Sequence, residues 1–168
     1  MVKNMKLKSL IEYREEVKKS DLQSITEILE SSGFFYSYEV DVALELLEDR
    51  LEKGKNSQYN FLFGEIDGKA VAFTCFVRIE CTVSSYDIYW IATHNDFRGK
   101  GIGQNLLQRT ENIVHDLGGT RIYIETAGRE LYKPTQAFYA RCGYIQEAVL
   151  KDFYSEGDDK IINVKVIE

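Results

Sequence analysis

The sequence predicts one α/β domain: a mixed, mostly antiparallel sheet of six to seven strands with about four helices on its faces. Three observations predict it. Apolar residues recur at helical spacing from Leu22 to Leu51, and alternate at strand spacing from Tyr59 to Thr93. A strand, a glycine-rich turn, a long helix and another strand then follow from Tyr86 to Thr126. With 168 residues and 44% hydrophobic content, the chain is long enough for one substantial core, so residues 1–168 are read as a single domain.

Ser20-Asp21-Leu22-Gln23 reads as a capping box, after which Leu22, Ile25, Ile28 and Leu29 form a helical stripe as far as Gly33. After an aromatic connector, Phe34-Phe35-Tyr36-Ser37-Tyr38, a second stripe of Val40, Ala43, Leu44, Leu47 and Leu51 ends before Gly54. A strand from Tyr59 to about Ile66, an Asp67-Gly68 turn and a return strand with Val71, Phe73, Cys75, Val77 and Ile79 on one face make a hairpin. The strand Tyr86 to Thr93 leads into the glycine-rich turn and an amphipathic helix carrying Leu106, Leu107, Ile113, Val114 and Leu117, closed by Gly118-Gly119. Strand Arg121 to Thr126 completes a β-turn-α-β unit. Pro134 opens a short helix that Gly143 closes. Two last strands, near Tyr144 to Leu150 and Lys160 to Val166, flank an acidic loop from Asp152 to Asp159.

Composition narrows the function. Apolar runs such as Ala70 to Phe76 are too short to cross a bilayer, and the lysine-rich N-terminus has no signal-peptide core, so a cytoplasmic protein without membrane partners is expected. Cys75, Cys81 and Cys142 are odd in number, lack C-x-x-C spacing and have only His94 and His115 as co-ligands, which argues against zinc or a disulfide framework; no metal is expected, and all three thiols read as buried and structural. The net charge of −6 argues against nucleic-acid binding, which draws on a basic face. It mildly favours a cationic partner.

Between a strand and a helix, Arg98-Gly99-Lys100-Gly101-Ile102-Gly103 aims backbone N–H groups and the positive end of a helix dipole at one point, where an anion belongs. Arg98 and Lys100 add charge at the rim. The dinucleotide fingerprint requires glycine where Gln104 stands, and the P-loop requires Lys then Ser or Thr after its last glycine, so neither nucleotide motif fits.

From Tyr86 to Tyr144 the chain resembles the GNAT superfamily of acetyltransferases. Ile91-Ala92-Thr93 looks like the central strand of that family, Arg98 to Gly103 like its R/Q-x-x-G-x-G/A loop, and Phe138-Tyr139-Ala140-Arg141-Cys142-Gly143-Tyr144 like its F/L-Y-x-x-x-G-F/Y ending. The resemblance implies a splayed central strand pair with acetyl-CoA as cosubstrate. Its pyrophosphate would lie on Arg98 to Gly103, and its pantetheine and thioester along the backbone of Ile91, Ala92 and Thr93. Thr135, standing where many relatives place Ala, joins that cofactor set, and Tyr132 stands where many place Asn.

An amine must be neutral to attack a thioester, and an alkylammonium of pKa about 10 is neutral in only about one part per thousand at pH 7. A proton acceptor is therefore useful. Asp87 shares a strand face with Tyr89, Ile91 and Thr93, and Glu125 ends the next strand; the resemblance supports both as base and does not choose between them. His94 is a further titratable group beside the turn. Tyr139 matches the acid that protonates the departing thiolate. Phe34, Phe35, Tyr36 and Tyr38 of the connector, with Tyr154, would border the acceptor channel of this fold. Flanked by Glu39, Asp41, Asp158 and Asp159, they suit a cationic amine, or else serve as core or dimer contacts. An N-acetyltransferase acting on a small amine, a peptide N-terminus or a lysine is the leading reading; a coenzyme A-binding sensor without turnover and a cofactor-free interaction module are the alternatives. The sequence leaves oligomeric state open, although exposed strand edges in this fold often pair, which would give a homodimer.

Overall fold

The computed structural model describes residues 11–168, so the lysine-rich N-terminus lies outside the described residues. Among these, seven strands and four helices alternate as β1 (Glu12–Arg14), α1 (Asp21–Ser32), α2 (Ser37–Lys53), β2 (Asn60–Ile66), β3 (Lys69–Arg78), β4 (Ser85–Thr93), α3 (Ile102–Asp116), β5 (Arg121–Ala127), α4 (Lys133–Arg141), β6 (Ile145–Ser155) and β7 (Asp158–Val166). The strands form one sheet in the order β1-β2-β3-β4-β5-β7-β6, with β1-β2, β2-β3, β5-β7 and β7-β6 antiparallel and β4-β5 parallel. That parallel register runs from Ser85↔Arg121 to Ile88↔Ile124, beyond which β4 continues to Thr93 and β5 to Ala127. No described helix is long and apolar enough to cross a membrane.

Packing divides the chain into two compact units. The first comprises the described part of Met1–Val77 together with Trp90–Thr110. Its core joins Ile25, Ile28 and Leu29 of α1, Ala43 and Leu47 of α2, and Phe61, Phe63, Phe73 and Cys75 of the β2-β3 hairpin. The hairpin turns at Asp67 (φ 52°) and Gly68 (φ 76°), both left-handed as a two-residue I′ turn requires. Strand β3 is buried on both faces from Ala70 to Val77, rather than on the one face its alternation suggested. The Thr74 and Thr110 hydroxyls, 2.8 Å apart, link β3 to α3.

Strand β1 was not anticipated. Its Arg14 reaches Asp21 at 2.8 Å and Glu65 at 2.6 Å, with its guanidinium 4.7 Å above the Phe63 ring. The expected capping box is corrected here: Ser20 has helical dihedrals (φ −65°, ψ −18°), and its side chain caps nothing. Asp21 instead accepts a hydrogen bond from Lys18 N at 2.7 Å while paired with Arg14, so the carboxylate closes the turn before the helix. The box lies one helix later, where Tyr36 N donates to Glu39 at 2.8 Å.

The second unit comprises Arg78–Tyr89 and Glu111–Glu168. Here β5 pairs with β4 on one side and β7 on the other. The buried Glu111 of α3 holds Lys165 of β7 at 2.7 Å. Leu117, expected on the buried stripe of α3, is exposed because the helix ends at Asp116. The Asp152 to Asp159 segment is mostly strand: β6 runs to Ser155, β7 starts at Asp158, and the turn narrows to Glu156-Gly157. Cys75 is buried and Cys142 half-buried, whereas Cys81, at a left-handed turn position (φ 61°), is exposed, contrary to the reading of all three as buried.

Candidate functional site

In the first unit, β4 ends at Thr93, and His94 N donates to Val71 O at 2.8 Å. His94 Nδ1 accepts from Asp96 N at 3.3 Å, which gives that histidine a local capping task at the Asn95–Phe97 turn. The glycine-rich run follows. Gly99 (φ 71°) and Gly101 (φ 80°) both adopt the left-handed backbone that side chains disfavour. Of the six residues expected in the turn, Ile102 and Gly103 already belong to α3, and Ile102 is buried. Asn105 N donates to Gly101 O at 3.1 Å, so the N–H groups ahead of it are the first-turn donors that a helix leaves for an anion. A Cβ placed on Gly99 would meet nothing within 4 Å, so the backbone there borders open space.

Both cations of the run are anchored. Arg98 Nε donates to Thr93 O at 3.3 Å, with its guanidinium 5.1 Å over the Phe34 ring. Lys100 Nζ donates to Asp96 O at 2.6 Å and lies 5.0 Å over Phe97. On β4, Ala92 is buried, while Ile91 and Thr93, on the opposite face, are half-buried.

The connector aromatics part company. Phe35 packs against the core, its ring 5.3 Å from Trp90, a contact the sequence reading missed. Tyr36 and Tyr38 stack on each other at 5.5 Å and face solvent. Phe34 belongs with Arg98 and the turn.

In the second unit, Asp87 is half-buried and stands opposite Tyr123 in the β4-β5 register. Glu125 lies two residues further along β5 and is exposed. Lys160, opposite Ala127 on β7, brings its ammonium to 2.5 Å from the Glu125 carboxylate and 4.4 Å from the Phe153 centroid. Burial, reinforced by the Glu125 charge and opposed by Lys160, pushes the Asp87 carboxyl up to about 6. No donor among the described residues reaches the buried Oδ1 of Asp87.

Helix α4 carries Thr135, half-buried in its first turn, and Tyr139, which is buried. Tyr144 N donates to Tyr139 O at 3.0 Å, and the two rings lie 6.0 Å apart. Burial raises the Tyr139 phenol above its ordinary range, so it holds its proton at neutral pH. Gln136 Nε2 donates to Ala127 O at 2.9 Å and fastens α4 to the end of β5.

Tyr154 lies on β6 rather than in a loop, exposed, with Phe153 edge-on at 5.1 Å. The acidic residues expected to cradle a cation are largely occupied: Asp158 pairs with Arg129 at 2.9 Å, Asp159 with Lys151 at 2.6 Å, and Glu39 caps α2. Among the described residues no group of His, Cys, Asp and Glu is arranged to hold a metal ion.

Residues 22–144 match the family model described as the Acetyltransferase (GNAT) family. The chain belongs to the GNAT family of acetyltransferases. It is 30% identical over 105 residues to an uncharacterized N-acetyltransferase of Methanocaldococcus jannaschii, covering 62% of this chain and 65% of that protein's length. The crystal structure of a candidate GNAT-family acetyltransferase from Desulfovibrio desulfuricans superposes with a TM-score of 0.92 at 37% identity, over 94% of this chain and 99% of that one. The fold is also that of an aminoglycoside 6′-N-acetyltransferase complexed with coenzyme A, with a TM-score of 0.76 at 18% identity over 94% and 97% of the two chains. Within this GNAT fold, the turn before α3 is the feature that the sequence and the backbone geometry mark independently.

Proposed function

We propose that this GNAT protein is an acetyl-CoA-dependent N-acetyltransferase, in which a primary amine attacks the thioester directly in a ternary complex. The observation that carries the reading is the Arg98–Gly101 turn, with two left-handed glycines leading into α3 and open space at Gly99. Arg98, Gly99, Lys100, Gly101, Ile102 and Gly103 hold the pyrophosphate; the backbone of Ile91, Ala92 and Thr93, with Thr135, holds the rest of the cofactor. The aminoglycoside acetyltransferase of the same fold, which contains coenzyme A, supports acetyl-CoA as the cosubstrate.

Acetyl-CoA supplies an activated acyl group, and the chain's own residues move the protons. A carboxylate, Asp87 or Glu125, takes a proton from the ammonium directly or through water, and Tyr139 donates one to the departing thiolate. A base or acid so placed contributes roughly 10²- to 10⁴-fold. Phe34, Phe35, Tyr36 and Tyr154 border the acceptor, a small-molecule amine, a peptide N-terminus or a lysine, in an enzyme of the cytoplasm.

A thiol-release assay with acetyl-CoA over polyamines, aminoglycosides, amino acids and N-terminal peptides tests the reading. At least one class should turn over. If acetyl-CoA raises the melting temperature while no amine is consumed, the chain is instead a coenzyme A-binding sensor.

A further inference from the structure

We propose that Lys160 is a positioning residue for acetyl transfer: by holding the Glu125 carboxylate in an ion pair, it leaves Asp87 as the group that takes the proton from the amine. The inference rests on the acetyltransferase reading above, and the experiment below separates the two.

Side chains two residues apart along a strand share a face, and so do cross-strand partners. Asp87 pairs with Tyr123, Glu125 follows Tyr123 by two, and Lys160 pairs with Ala127, two further on. All therefore lie on one face of the sheet. The Lys160 side chain is only 15% exposed, and an ammonium that enclosed requires an anion; Glu125 supplies it at 2.5 Å. That Glu125 oxygen is occupied by the Lys160 ammonium and is not open to a second donor. Asp87 differs, because its buried Oδ1 has no donor among the described residues and keeps its lone pairs for an incoming N–H.

Among the described residues, Glu125 and Lys160 are the charged groups that act on Asp87. Tyr123 and Glu125 face it from β5, Lys160 from β7, and Tyr89 shares its face of β4. Strand β3, next in the strand order, carries no charged side chain from Ala70 to Val77. Burial and the Glu125 charge raise the Asp87 carboxyl to about 6, while Lys160 pulls it down. Asp87 is thus mainly ionised at neutral pH yet more basic than an ordinary carboxylate.

The protons balance. Asp87 removes one N–H proton from the ammonium, and the freed lone pair forms the C–N bond as the C–S bond breaks. Its electron pair leaves on sulfur, which takes the Tyr139 proton. The second N–H proton returns to Tyr139 through water, and Asp87 releases its own to solvent.

The test is the pH dependence of kcat/KM for the full chain, with whichever amine the thiol-release panel identifies. The parent should rise through an acid limb near pH 6, set by Asp87. Asp87→Asn should abolish that limb. Glu125→Gln removes a neighbouring negative charge and should move the limb to lower pH; Lys160→Met removes a positive charge and should move it higher. A limb displaced by a full pH unit changes kcat/KM on its acid side about tenfold. Lys160→Arg keeps the charge and should leave the limb in place. If Lys160→Met does not fold, Glu125→Gln and Lys160→Arg still decide the matter. Displacements in the same direction, or none, with Asp87→Asn still abolishing the limb, overturn the Lys160 assignment; a limb that survives Asp87→Asn overturns it too, by placing the base elsewhere. No thiol release from the parent would instead reject the acetyltransferase reading.

Discussion

On the proposed reading, Tyr139 is a side chain fitted to one task. Enclosed between Phe138 and Tyr144, it is a phenol that stays protonated at neutral pH and therefore has a proton to give. Tyr139→Phe should lower kcat by about 10²-fold or more, with the Kd for acetyl-CoA from calorimetry little changed. Equal losses in both would make Tyr139 a binding residue. Arg14 is the structural counterpart, serving two carboxylates that are themselves buried, Asp21 and Glu65. Arg14→Ala takes the guanidinium from both, leaving Glu65 with Lys18 at 3.5 Å, and chemical denaturation should show a loss of about 3–5 kcal/mol. The sequence marked Tyr139 as a candidate because it lies within a motif; it gave no such mark to Arg14 or Lys160. Arg14 meets Glu65 across 51 positions, and Lys160 meets Glu125 through a strand pairing that no local period encodes.

The glycine-rich turn is the element whose sequence and geometry agree best, since glycine is the residue that takes positive φ without a Cβ penalty. Gly99→Val would force a β-branched residue to φ 71° where a Cβ meets nothing within 4 Å, so the cost is backbone strain. That strain, about 1–2 kcal/mol, should weaken acetyl-CoA binding by roughly tenfold in titration calorimetry while the melting temperature without ligand falls only modestly. Unchanged affinity would remove the turn from the cofactor site. Other elements were read less well, for local reasons. The run from Asp152 to Asp159 looked like a solvated loop because it is charged, yet Asp159 binds Lys151 and Asp152 N, Asp152 accepts from Gly157 N, and these bonds extend the hairpin. At Ser20 the capping pattern was present, but the neighbouring Asp21 took the turn's hydrogen bond.

For the whole molecule, the motifs at Arg98 to Gly103 and Phe138 to Tyr144 pointed to the GNAT fold, and the order of helices and strands agreed with it, since periodicity and turns mark where elements begin and end. The insertion of β7 between β5 and β6 was beyond it, because pairing order depends on packing far along the chain. That order leaves β6 as a terminal strand, with Ile145, Val149, Leu150, Phe153 and Tyr154 exposed. Such an edge invites pairing. We propose that a second copy covers it: two β6 strands antiparallel about Val149 would set Glu147 of each against Lys151 of the other, a self-complementary two-fold match. Light scattering should give a dimer, and Val149→Glu a monomer; a monomeric parent would refute this assembly. On the proposed reading, the whole chain serves to move an acetyl group from sulfur to nitrogen, and mass spectrometry of the acceptor run alongside thiol quantification tests that most directly. We predict one acetylated amine for each thiol released; thiol release without acetylated amine, or neither product with any amine, would contradict it.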